Sequence, residues 1–219
     1  MSLFTGILDL LFPQKCTFCR RLLKSGENGM CAACARDVPY TRGNAKRSGD
    51  FFSVCVSPLY YEGNVREAIL RFKFRNATSY AGLFGRLIAD CIRDNLAGEY
   101  DLISWVPLSA KRLKKRGYDQ AMLLAMAAAL ELDDVAVETL VKHTDVPAQS
   151  GLGSAEKRRA NVSGSYAASD PELIAGKRIL LIDDIVTTGS TLSECARTLL
   201  GAGAEKVVCA TLARTESEN

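Results

Sequence analysis

The chain has 219 residues, 47% of them hydrophobic and 24% charged, with a formal net charge of +3. That length holds one domain of ordinary size plus a small appendage, and the near balance of charge excludes a uniformly basic chain. Eight cysteines with no recognisable export signal point to reduced thiols and metal rather than disulfides.

In chain order, Leu3, Phe4, Ile7, Leu8, Leu10, Leu11 and Phe12 form an apolar start that lacks a basic lead, carries Asp9 and breaks at Pro13. It makes a poor signal peptide, is too short to span a bilayer, and reads as a short amphipathic helix docked on its own protein. Cys16-x₂-Cys19 and Cys31-x₂-Cys34 follow, separated by eleven residues. Four thiolates so spaced can surround one tetrahedral Zn²⁺, with iron in a rubredoxin-like site as the other ion they suit. No histidine lies nearby, so the metal is structural, holding a segment too small to bury a core of its own. Cys55, Cys91, Cys195 and Cys209 lie in apolar or helical contexts and are expected in the core.

Residues 41–50 are polar and aperiodic and read as a linker, dividing the chain into 1–50 and 51–219. Residues 51–61 have strand composition. Residues 64–74 read as a helix with Val65, Ala68, Ile69 and Phe72 on one face, and 80–95 as a second helix. A short strand over 102–106 leads through Val106-Pro107-Leu108-Ser109 to a run rich in cations, Lys111, Arg112, Lys114, Lys115 and Arg116. The run is either a solvated face or an anion site. A helix over 120–132 and a strand-like 135–141 come next. Between 142 and 168 lies a polar stretch with glycines flanking a basic run, which suits a mobile lid or an unstructured surface loop. His143, the only histidine, reads as a surface or structural residue. Alternating strands and helices predict an α/β domain with a mainly parallel sheet.

Residues 179–191 carry the densest chemical signal. Ile179-Leu180-Leu181-Ile182 suit a strand buried on both faces. Asp183 and Asp184 follow, placed to face one crevice. Thr187-Thr188-Gly189-Ser190-Thr191 can then wrap backbone N–H groups around an anion at a helix N-terminus. Carboxylates beside a phosphate cup suit a ligand with sugar hydroxyls or Mg²⁺ as well as phosphate. A ribose 5-phosphate has both halves. In an open α/β sheet the turn after Val106 shares that crevice, setting the cation run opposite the acids.

The thirteen residues resemble the phosphoribosyl pyrophosphate (PRPP) motif of type I phosphoribosyltransferases. The resemblance implies that Asp183 and Asp184 bind the ribose hydroxyls and that Thr187, Thr188, Gly189, Ser190 and Thr191 hold the 5-phosphate. Together with the cysteine knuckles, Phe12-Pro13, Leu70-Arg71-Phe72-Lys73-Phe74, Arg116-Gly117-Tyr118-Asp119-Gln120, Gln149, Arg158, Arg159 and Asn161-Val162, the whole chain resembles the ComF family of ComFC- and GntX-like proteins. It departs from the family at Asp119, where Asn is common, and at Lys142, where Arg is common. The family implies a type I phosphoribosyltransferase-like parallel sheet flanked by helices, a small N-terminal four-cysteine zinc module, and cytoplasmic handling of single-stranded DNA with the uptake machinery of natural transformation. Pentosyl transfer from PRPP with Mg²⁺ to a small nucleophile, or PRPP sensing without turnover, are the other readings. For pentosyl transfer, Lys111, Arg112, Lys115 or Arg116 would hold the pyrophosphate leaving group. Phe18, Tyr40, Tyr60, Tyr61, Phe72 and Phe74 are either core residues or stacking platforms for a single strand.

Overall fold

A computed structural model describes residues 13–143 and 164–216. The apolar N-terminal stretch and most of the glycine-flanked basic stretch, including Gln149, Arg158, Arg159 and Asn161, lie outside the described residues. The helices are α1 (Ala32–Asp37), α2 (Gly63–Phe74), α3 (Ala81–Leu96), α4 (Ala110–Arg116), α5 (Gln120–Glu131), α6 (Pro171–Ile174) and α7 (Ser190–Gly201). The strands are β1 (Lys46–Arg47), β2 (Cys55–Val56), β3 (Leu59–Tyr60), β4 (Leu102–Trp105), β5 (Leu140–Lys142), β6 (Tyr166–Ala168), β7 (Arg178–Val186) and β8 (Lys206–Arg214). Six of them form one sheet in the order β1-β2-β8-β7-β4, with β3 also on β8. All its pairings are parallel except β1 with β2, while β5 and β6 make a separate antiparallel ribbon.

Strand alternation sorts the apolar run of β7 onto two faces. Leu180 and Ile182 pack with Phe72, Phe84, Ile88 and Leu124 from α2, α3 and α5. Ile179 and Leu181 pack with Leu192, Cys195 and Leu199 of α7. The sheet is therefore covered on both sides, which is why its central strand can be continuously apolar. The four cysteines outside the knuckles are buried, as expected. None of the described helices is long and apolar enough to cross a membrane.

The structure departs from the expected elements at four places. The supposed linker enters the sheet, because Lys46 and Arg47 pair with Val56 and Cys55. The strand expected over 51–61 is two short strands, since Pro58 has no N–H to continue a ladder. Only the end of 135–141 is strand; Ala136 merely bridges Ile103. The cation run is helical: Ser109 Oγ accepts from the Arg112 N–H, and Gly117 closes the helix at φ 82°.

The cysteine segment joins the same core. Phe18, buried, lies with its ring 6.2 Å from that of Phe84. Arg71 of α2 donates to the carbonyls of Thr17 and Phe18, both at 2.9 Å, and Arg20 donates to the Tyr80 hydroxyl at 2.7 Å.

Helices α3 and α5 meet at Gly85, where a Cβ would come within 2.5 Å of Ala127 Cβ and 2.7 Å of the Ala127 carbonyl carbon. Gly85→Ala is expected to destabilise the fold by about 1–3 kcal/mol through overpacking. Gly82→Ala, whose Cβ would meet nothing within 4 Å, should melt no lower than the parent. Equal melting temperatures for the two variants would contradict this crossing.

Candidate functional site

The strand β7 extends past the apolar run to Val186, so Asp183 and Asp184 are its late residues rather than part of a turn. Successive strand positions point to opposite faces. Asp184 turns to α2, where Lys73 Nζ lies 2.8 Å from its Oδ1 with both side chains largely buried. Asp183 lies on the α7 side, where its charge acts on Tyr166 and Cys195. The two side chains leave the strand on opposite sides, yet Asp184, Lys73 and Asp119 all act on Asp183, so both acids stand together at one strand end. Burial first, then the neighbouring Asp184 carboxylate, push Asp183 up to about 8, while Lys73 works in the opposite direction.

Beyond Val186 the chain turns at Gly189, whose φ of 81° is the left-handed conformation that favours glycine. The turn leads directly into the N-terminus of α7, a twelve-residue helix whose first N–H groups have no intrahelical acceptor. Thr187 and Thr188 are exposed, Thr188 Oγ1 lies 2.8 Å from Ser190 Oγ, and Thr191 sits in the first helical turn. Backbone N–H groups, hydroxyls and the positive end of the helix dipole converge there, which is the chemistry of a phosphate cup.

Arg47, from the supposed linker, and Phe52, just after it, support this turn. The Arg47 guanidinium donates to the Thr187 carbonyl. Phe52, buried, lies beneath the turn, 3.6 Å from where a Gly189 Cβ would stand.

The strand β4 ends beside β7, and its exit is fixed by Asp119. That carboxylate accepts from the Leu108 N–H at 2.8 Å and from the Met122 N–H at 3.1 Å, so it both caps α5 and ties down the 107–109 turn. Two acceptor oxygens are in use, where an Asn would offer one. Burial raises the Asp119 pKa, and the Asp184 charge adds to the effect.

Between the end of α2 and helix α4 lies a cavity of about 580 Å³. Of the expected pyrophosphate cations, Arg112, Lys115 and Arg116 line it, whereas Lys111 lies exposed on α4 and does not. Lys73 and Arg75 line it from α2. Lys73 therefore links the cationic cavity to Asp184, a role that sequence reasoning missed although the Phe72-Lys73-Phe74 run was in view. Lys142 donates to the Tyr166 hydroxyl at 3.1 Å. His143 is exposed.

At the other end of α2 the ligating atoms of Cys16, Cys19, Cys31 and Cys34 all lie within 4.8 Å of one another, with Cys19 Sγ to Cys31 Sγ at 3.7 Å. Sulfurs about 2.3 Å from a tetrahedral Zn²⁺ stand about 3.8 Å apart, so the donor set fits that ion. The Cys31 N–H points at Cys16 Sγ and the Cys34 N–H at Cys31 Sγ, both at 3.4 Å, an arrangement that stabilises thiolate. Against the burial that would raise it, the Cys34 N–H and the neighbouring thiols bring Cys31 down to about 6.

Known proteins bear on both ends of the molecule. Residues 114–219 match the family model of the phosphoribosyl transferase domain, and residues 7–53 match that of the double zinc ribbon domain, so the four cysteines form a structural zinc centre. Competence protein F of Haemophilus influenzae is 30% identical, the match covering 93% of this chain and 98% of that protein. DNA utilization protein YhgH of Escherichia coli K12 is 27% identical over 94% of this chain and 99% of its own length. Competence protein ComFC of Bacillus subtilis is 28% identical over 90% and 82%. With a zinc ribbon, a phosphoribosyltransferase domain and a near full-length match to Competence protein F, the chain belongs to the ComF family.

Proposed function

We propose that the protein binds PRPP with Mg²⁺ and takes part in DNA uptake by handling incoming single strands in the cytoplasm. The observation that carries the ligand assignment is the junction of β7 and α7. A left-handed glycine there opens a helix N-terminus beside two carboxylates, one of them partnered by a lysine that also lines a cationic cavity. The names of the relatives, competence and DNA utilization, support the cellular role. Within this reading residues 1–50 are the zinc-bearing part and 51–219 the ligand-bearing part, joined by a common core.

Asp183 and Asp184 accept hydrogen bonds from the ribose hydroxyls. The N–H groups and hydroxyls of 187–191 hold the 5-phosphate, and Arg112, Lys115, Arg116 and Lys73 face the pyrophosphate. Asp183 and Asp184 would help to retain Mg²⁺ bound with PRPP, which would supply charge neutralisation on the leaving group. The cavity of about 580 Å³ beside the acids gives pyrophosphate a place to depart into. That favours pentosyl transfer to a small nucleophile as a second reading over sensing alone, with positioning and charge stabilisation as the protein's contributions.

Calorimetry of the zinc-loaded protein with PRPP and Mg²⁺ is expected to show binding that the Asp183→Asn/Asp184→Asn double variant loses, because each carboxylate loses its charge but keeps its shape. Equal affinity in the variant would reject the site. A second expectation follows from the raised Asp183 pKa. The free protein holds that proton below about pH 8, whereas a carboxylate engaged by ligand does not. Affinity should therefore rise as pH rises towards 8 and level off above it, by at most about tenfold per pH unit for one proton. Proton uptake on binding at pH 7 would have the wrong sign. Removing the zinc with a chelator should lower hydrogen-exchange protection in α2 and α3 as well as in 13–50, since Phe18 and Arg71 cross between them. Loss confined to 13–50 would contradict a common core.

A further inference from the structure

Phe74 has no part in the core. The buried stripe of α2 is Val65, Ala68, Ile69 and Phe72, and Phe74, the last helical residue, lies off it with 62% of its surface exposed. It opens onto the cationic cavity, where the Arg116 guanidinium sits 4.9 Å from its ring centroid. Arg116 is held there by a second contact, donating to the Gln120 side chain. Basic residues in the last turns of α2 and α4 answer the negative ends of two short helix dipoles. That accounts for a cation or two, but not for five lining one cavity, and not for an exposed aromatic ring among them.

A pyrophosphate uses the cations and has no use for the ring. A nucleotide in a single strand uses both, with phosphate on the guanidinium and ammonium groups and an unpaired base against the open side of the Phe74–Arg116 pair. A duplex, with its bases stacked internally, offers only the phosphate. We propose that the cavity between α2 and α4 is a base-and-phosphate site for single-stranded nucleic acid, and that it shares its cations with the pyrophosphate end of PRPP, so that the two ligands exclude one another. The exclusion by PRPP rests on the function proposed above; the strand site itself does not. PRPP at the β7–α7 turn would then displace the strand, coupling DNA handling to nucleotide supply.

The test uses the full zinc-loaded chain and two fluorescent probes of about a dozen nucleotides, an oligothymidylate and an abasic strand of equal length, read by anisotropy across a salt series. The oligothymidylate should bind about tenfold more tightly than the abasic strand, and Phe74→Ala should erase that difference while leaving abasic binding intact. Arg112→Ala with Lys115→Ala should weaken both probes and flatten the salt dependence by about one to two phosphates' worth of slope. Sodium pyrophosphate should displace the oligothymidylate from the parent. A base preference that survives Phe74→Ala overturns the proposal. So does pyrophosphate that binds by calorimetry without displacing the strand. If PRPP fails to bind while pyrophosphate still displaces the strand, the ribose assignment falls and the shared cavity stands.

Discussion

Strand β7 is covered by helices on both faces, so the first carboxylates it carries must be answered where that cover ends. The answer is asymmetric. Asp184 meets Lys73 from α2, an ion pair with little access to water, while Asp183 faces the α7 side and is held towards its protonated form by burial and by its neighbour. An uncompensated pair of charges at this depth would be costly, and the Lys73–Asp184 contact offsets that cost for one of them. The same arrangement leaves an acidic pair, a hydroxyl-rich turn at a helix N-terminus and a bank of cations near one strand end.

Lys73 is in turn set by what lies at the other end of its neighbourhood. Two residues earlier on α2, Arg71 donates to the carbonyls of Thr17 and Phe18 inside the first cysteine knuckle, and Phe18 rests against Phe84. Buried carbonyls need donors, so α2 and the knuckle fix one another. The zinc centre is thus more than an appendage: it braces the helix that presents Lys73 to Asp184 and Phe74 to the cationic cavity. Arg71, the Arg20–Tyr80 hydrogen bond and the Phe18–Phe84 ring contact tie the cysteine segment to α2 and α3.

Much of this was legible from residue order. The cysteine spacing has one good physical use, and the apolar run ending in two acids and a hydroxyl-rich glycine turn has few. Both were found where the residues placed them. What escaped was the part that depends on long-range pairing. Residues 41–50 have linker composition, yet Lys46 and Arg47 pair with β2 and Arg47 reaches Thr187, 140 residues away. No local pattern encodes such a pairing. Lys73 was invisible for the same reason, because on a helical wheel it is an ordinary polar position and only the meeting of α2 with β7 gives it a partner. The strand's length was misjudged on a local count: four apolar residues suggested an end at Ile182, but it runs to Val186 and carries both acids. The cation run was read correctly as charge and missed as a helix, although the Ser109 cap and Gly117 stop were both in the sequence.

The central claim is that the β7–α7 turn holds the ribose phosphate of PRPP and that the cations of the α2–α4 cavity hold its pyrophosphate end. An amide NMR titration of the zinc-loaded protein with ribose 5-phosphate, and in a parallel sample with pyrophosphate, separates the two most directly. Ribose 5-phosphate should move the amide signals of Thr188, Gly189, Ser190 and Thr191 and leave α4 in place, while pyrophosphate should move α4 and the end of α2. Ribose 5-phosphate that shifts α4 and not the turn would contradict the assignment of the site.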